Sequence, residues 1–291
     1  MSDSTTVDFI GVASGIGAQD HGCESGPEAL HARCIESHLC APENRVRWLT
    51  TLYPPYEQDD LHAIERLCRE LAVQVQRSVE AQRRFTVFSG DHSSAAGTWG
   101  GVRSALGESG SLGLIWVDAH MDSHTPDTSP SGAYHGMPLA CLLGHGPDEL
   151  TGLGDFPPAL MPQNVVLVGV RSFEAEESAL LSSLGVFIYY IDEVRRRGLE
   201  VVMREAHARV TQHSSHFGIS IDLDAIDPGE APGVGSPERG GIHGDELAAA
   251  LASLAEDERL TGIEISEYNP SRDVAQKTAR LALVLANTIV R

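Results

Sequence analysis

Seven short apolar runs punctuate this chain, and they constrain its fold more than any other feature. They read VDFIGV (7–12), FTVF (85–88), LGLIWV (112–117), VVLVGV (165–170), VFIYYI (186–191), FGISI (217–221) and LTGIEIS (260–266). Between them lie helical patterns. Leu61, Ile64, Leu67, Cys68, Leu71 and Val75 recur at three and four residues and form one amphipathic stripe. Residues 246–255 and 274–290 read the same way. The stretch 93–106 reads as a helix with its glycines set against a sheet. Continuous apolar strands alternating with helices predict an α/β fold, a parallel sheet covered on both faces. No repeat, low-complexity tract or composition break divides the chain, so a single domain over 1–291 is expected. Loops rich in Gly and Pro lie at 125–133, 146–162 and 227–241.

Three of the strand runs end in acids and histidines: Ser89-Gly90-Asp91-His92-Ser93, Asp118-Ala119-His120-Met121-Asp122 and Asp222-Leu223-Asp224. If the strands continue, alternation puts Asp118, His120 and Asp122 on one face, and Asp222 with Asp224 on one face. Ligands of such sheets bind outside the carboxyl ends of the strands, where the 125–133 and 227–241 loops also fall. Carboxylates this close repel unless cations sit between them. Oxygen and imidazole donors without cysteine favour a hard or borderline divalent ion such as manganese. The number of donors suits two ions better than one.

Net charge is −20, with 41 acidic against 21 basic residues. That argues against nucleic acid or an anionic membrane as partner and suits a small cationic substrate. The five cysteines, Cys23, Cys34, Cys40, Cys68 and Cys141, are odd in number and show no CxxC pair. Free thiols in a reducing, cytoplasmic setting are the expectation. The opening MSDSTTVDF has neither a basic nor an apolar leader region, and no run reaches membrane-spanning length.

SGDHS (89–93), DAHMD (118–122), SIDLDAIDP (220–228) and EISEYNP (264–270) together resemble the four signatures of the ureohydrolase family. That family includes arginases, agmatinases, guanidinobutyrases and formimidoylglutamases. The resemblance runs from the strand near Val7 to the final helix. It implies a three-layer α/β/α fold around a mainly parallel eight-stranded sheet. It also implies two Mn2+ ions, hydrolysis of a guanidino group to urea and an amine, and a homo-oligomer, trimer or hexamer. Carried over by residue, His92 would bind one ion and His120 the other. Asp118 and Asp222 would bridge both, Asp122 would complete the first site, and Asp224 the second. Asp122 would also pass a proton, His135 would take part in proton shuttling, and Glu267 would pair with the guanidinium. A guanidinium carbon is a poor electrophile, and water between two cations loses a proton far more readily than free water.

Two features of the resemblance favour L-arginine as substrate. The segment 118–136 has the length and ending of the arginase form, and APGVGSPERGG (231–241) looks like the bacterial arginase loop. The amino-acid end of the pocket departs from that form. His124 and Ala133 stand where asparagines are usual, Glu174 where an aspartate is usual, and Ser236 where a threonine is usual. Ser131 is retained. The alternatives are a sibling enzyme for agmatine or another guanidino compound such as guanidinobutyrate, a formimidoylglutamase, or a catalytically silent family member. The complete ligand set and Glu267 argue against the last.

Overall fold

The structure, a computed structural model, describes residues 6–41, 44–57 and 59–290. Residues 1–5, part of the stretch read for a leader, and the last residue of the expected 1–291 domain lie outside the described residues. Eight strands form one sheet: β1 (Val7–Val12), β2 (Val46–Leu52), β3 (Phe85–Ser89), β4 (Leu112–Val117), β5 (Val165–Val170), β6 (Phe187–Tyr190), β7 (His216–Asp222) and β8 (Leu260–Ser266). Their order is β2-β1-β3-β8-β7-β4-β5-β6, and every pairing is parallel. The helices are α1 (Gly26–Glu36), α2 (Asp60–Glu80), α3 (Ala95–Ala105), α4 (Pro138–Leu142), α5 (Asp148–Thr151) and α6 (Ala175–Leu184). After them come α7 (Ile191–Arg197), α8 (Leu199–Val210), α9 (Gly244–Leu254) and α10 (Lys277–Asn287).

The strands are apolar on both faces because both are covered. Ile115 and Val117 of β4 pack with residues of α8, α9 and α10 such as Val202, Leu251 and Leu285. Leu112, Leu114 and Trp116 of the same strand pack with Leu71 of α2, Trp99 of α3 and Leu139 of α4. The result is a three-layer α/β/α arrangement. All seven apolar runs are strands. The eighth, β2 (VRWLTTL), has no continuous apolar run because it is an edge strand, mostly half-exposed.

Two expectations are corrected here. Gly97 and Gly101 of α3 face helix α2, not the sheet. A Cβ at either would lie 2.5 Å from the carbonyl oxygen of Cys68 or Ala72, so their lack of a side chain lets the two helices touch. The cysteines are not all free thiols either. The turn after α1 folds back so that Cys40 N–H donates to the Cys34 carbonyl, and the two side chains form a disulfide. Cys23, Cys68 and Cys141 are buried thiols. Among the described residues no helix is long and apolar enough to cross a membrane.

Candidate metal centre

The four central strands, β3, β8, β7 and β4, are neighbours, and each delivers polar side chains just past its carboxyl end. Strand alternation is not what aims them. β4 stops at Val117, and DAHMD runs through an irregular turn in which Asp122 has a positive φ of 48°. Asp224 sits in a 3-10 turn, Leu223–Ala225, after β7. Local hydrogen bonds make these turns. Asp118 Oδ1 accepts from His120 N–H at 2.7 Å, and Asp222 Oδ1 accepts from Asp224 N–H at 2.8 Å. His92 opens a 3-10 turn after β3, capped by Asp91, which accepts from Ser93 N–H.

These turns bring together two groups of donor atoms: His92, Asp118, Asp122 and Asp222 in one, Asp118, His120 and Asp224 in the other. His92 Nδ1 lies 3.0 Å from Asp122, 3.3 Å from Asp222 and 3.4 Å from Asp118 Oδ2. His120 Nδ1 lies 3.1 Å from Asp224 and 3.5 Å from Asp118 Oδ1. Asp118 therefore offers one oxygen to each group. Asp222 turns one oxygen to His92 and spends the other on the Asp224 amide.

The donor set fits metal ions. His92 Nδ1 is fully buried and has no hydrogen-bond partner among the described residues. Its other nitrogen, Nε2, faces Ser220 Oγ at 3.0 Å, and that hydroxyl donates to Glu264 Oε2 at 3.1 Å. With the proton on Nε2, the Nδ1 lone pair points at three carboxylates, as a ligating imidazole requires. Trp116 stacks on the His92 ring at 4.3 Å and donates to Asp118 Oδ2. Burial and Asp118 push the Asp122 carboxyl up to about 6. Burial, Asp224 and Asp118 push Asp222 well above the carboxylate range. Burial opposes the charge on Asp118 too, yet the His120 and His92 imidazoles beside it hold it below that range. Crowded, buried carboxylates of this kind ionise together only with cations among them.

Beside the cluster is a cavity of about 240 Å³. Glu267, buried and at a φ of 65°, lines it, with His135, Ser131 and Ala133 from one loop and Gly235 and Ser236 from another. Glu267 Oε1 accepts from His92 N–H and lies 3.0 Å from His135 Nδ1. Burial opposes a charged His135, but Glu267, Asp122 and Asp91 outweigh it and lift the imidazole to about 9. Ala18, Gln19 and Asp20 complete the wall. They were not singled out in the sequence, since a polar loop after β1 carries no chemical signature. Ser220, Glu264 and Trp116 were also missed. Ser220 and Glu264 stand inside the quoted signatures without an assigned role, and Trp116 reads as one more apolar residue of its strand.

Two predicted substrate contacts stand apart from the cavity lining. His124 Nε2 lies 3.0 Å from Glu174 Oε2, and its Nδ1 lies 3.1 Å from Thr128 Oγ1. Glu177, whose carboxyl burial chiefly pushes up to about 8, accepts from Ser123 and Glu174 N–H and lies 3.5 Å from His124. The two unusual residues at positions 124 and 174 thus satisfy one another. A larger groove of about 950 Å³ runs between α1 and α10 and includes none of the acid–imidazole cluster.

A three-layer parallel sheet with a buried acid–imidazole cluster at its central strand ends, beside an acid-lined cavity, defines a metal-binding hydrolase of the ureohydrolase type. The Arginase family model matches residues 5–290. The arginase of Bacillus caldovelox is 36% identical over 97% of each chain, and that of Brevibacillus brevis 35% identical over 97% of this chain and 96% of its own. The solved B. caldovelox arginase superposes with a TM-score of 0.91 over 98% of each chain. The arginase of Entamoeba histolytica, solved with L-ornithine, is 27% identical with a TM-score of 0.89 over 98% of each. The chain belongs to the arginase family and is a hydrolase of linear amidine carbon–nitrogen bonds.

Proposed function

We propose that this chain, working as one domain, is a binuclear manganese arginase that cleaves L-arginine to L-ornithine and urea. The observation that carries the reading is Asp118, whose two oxygens face two separate histidine-containing donor groups. The ions, when bound, would supply Lewis acidity and make a bound water more acidic. The all-oxygen-and-imidazole donor set supports manganese over softer metals.

Glu267 supplies the negative charge that holds a planar guanidinium through a charge-assisted hydrogen bond. Its Oε1 is tied to His92 N–H and faces His135, so one of its two oxygens is held in place. His135, 3.0 Å from Glu267, is suited to protonating the departing amine. Asp122, a member of the first donor group, is placed to relay a proton within the cluster. Ser131, Ala133 and Ser236 line the cavity wall and would meet the amino-acid end of the substrate.

L-arginine is supported by the names of the relatives and by the arginase-form loops. The His124–Glu174 pair supports the sibling reading, because it removes both side chains from easy contact with an α-carboxylate or α-amino group. Urea release by manganese-loaded protein from L-arginine, agmatine and 4-guanidinobutyrate separates the two. Arginine should be cleaved fastest; a faster rate on agmatine or the guanidino acid transfers the assignment to the sibling. By family analogy the protein assembles as a homo-oligomer, and size-exclusion with light scattering tests that. A cytoplasmic location is supported by three free thiols and opposed by the Cys34–Cys40 disulfide; fractionation tests it.

A further inference from the structure

Glu267 has two carboxylate oxygens with unequal surroundings. Oε1 takes the His92 amide and faces His135. Among the described residues Oε2 has one side-chain partner, the Cys23 thiol, at 3.3 Å. The same sulfur lies 3.4 Å from the Glu267 carbonyl, so its single proton ties either the side chain or the strained backbone of that residue. Cys23 is wholly buried and reaches Glu267 from a 3-10 turn, His21–Ser25, capped by Asp20. On the other side stands Gly235, where a Cβ would lie 2.6 Å from Oε2 and 3.3 Å from the sulfur. Oε2 is therefore held between a thiol and a glycine, with the cavity as its remaining open side.

We infer that Cys23 is a positioning residue for Glu267, and that its thiol fixes the oxygen that receives the guanidinium. A thiol is a weak donor. It orients Oε2 while leaving the lone pairs basic enough to bind a cation. Burial first, then the charge on Glu267, keeps the sulfur protonated and hence a donor. Fixing the carboxylate in advance favours binding by removing the cost of ordering it.

The inference rests on the reading that Glu267 takes the guanidinium. It is tested with full-length, manganese-loaded Cys23→Ser, Cys23→Val and Cys23→Ala on whichever guanidino compound wild type hydrolyses fastest. Ser keeps a donor; its KM should stay within about twofold of wild type. Val and Ala remove the donor; their KM should rise about 3- to 10-fold with kcat nearly unchanged, the effect of one modest hydrogen bond lost equally from ground and transition states. If Cys23 only fills space, the order reverses. Val then matches wild type and Ser, which buries a hydroxyl, has the lower melting temperature. A wild-type KM in both Val and Ala overturns the proposal. If Val fails to fold, Ala alone decides. A wild type inactive on every guanidino compound removes the functional reading and this inference with it.

Discussion

The acid–imidazole cluster and the outer end of the cavity differ in how firmly they are built. In the cluster, Asp118, Asp222, Asp224 and His92 are all buried, and each is oriented by a backbone amide, a strand neighbour or a stacked ring. At the outer end, Ser131 and Ser236 sit on irregular loops, and Ser131 Oγ accepts from the Ala133 amide. Glu174 leaves 56% of its side chain in solvent while pairing with His124. Four packed strands determine the first region; the second depends on a few loop contacts. Chemistry should therefore be brittle to mutation, and specificity should be adjustable by small steps.

The harshest test of that contrast is at Asp118. Asp118→Asn weakens both donor groups at once, so activity should fall by more than about 100-fold. Metal content by plasma emission should drop from two manganese ions per chain. Excess chelator should likewise abolish activity until Mn2+ is returned. Saturation at one ion in the unaltered protein would end the binuclear reading.

Next in size is Glu267→Gln, which keeps the shape and removes the charge. Loss of one charge-assisted hydrogen bond costs about 1.5–3 kcal/mol, so kcat/KM should fall by about 10- to 150-fold. A loss below threefold would mean the guanidinium binds elsewhere.

A proton-level test falls on His135. Its nuclear magnetic resonance titration in metal-free protein should show the imidazole near 9, raised by Glu267 against the pull of burial. Because this folded value lies above the unfolded one, His135 stabilises the metal-free fold fully below about 6.5 and loses that contribution as pH climbs through about 9. Manganese should lower the value, since cations nearby repel the imidazolium proton. A titration at or below 6.5 without metal would break the Glu267–His135 link.

The smallest effect belongs to the outer end. His124→Asn with Ala133→Asn restores two amides and releases Glu174 from its histidine. KM for L-arginine should fall by less than about tenfold, with little change in kcat, because these groups lie away from the reacting carbon. An equal gain for agmatine would show that the amides do not read the α-carboxylate.

Much of this was legible along the chain. The apolar runs were strands, and the acids that follow them gather into the cluster. Other features escaped for identifiable reasons. β2 is a half-exposed edge strand, so Arg47, Thr50 and Thr51 interrupt any apolar signal. Gly97 and Gly101 looked suited to a sheet, and only the approach of α2 shows what they accommodate. Cys34 and Cys40 look like free thiols until the turn after α1 closes. The direction of Asp122 and Asp224 follows from turns stabilised by their neighbours, where strand periodicity no longer holds.

Local sequence settled which donor atoms the chain carries and that they follow strands, because side-chain chemistry and apolar patterning act over a few residues. The strand order β3-β8-β7-β4 is different in kind. It brings His92, Glu267, Asp222 and Asp118 together from distant segments through backbone pairing and helix packing. No short stretch encodes that order, because its stabilisation comes from contacts between segments far apart in the chain. The same holds for His124 with Glu174 and Cys23 with Glu267: each pair exists only once the sheet has closed around it.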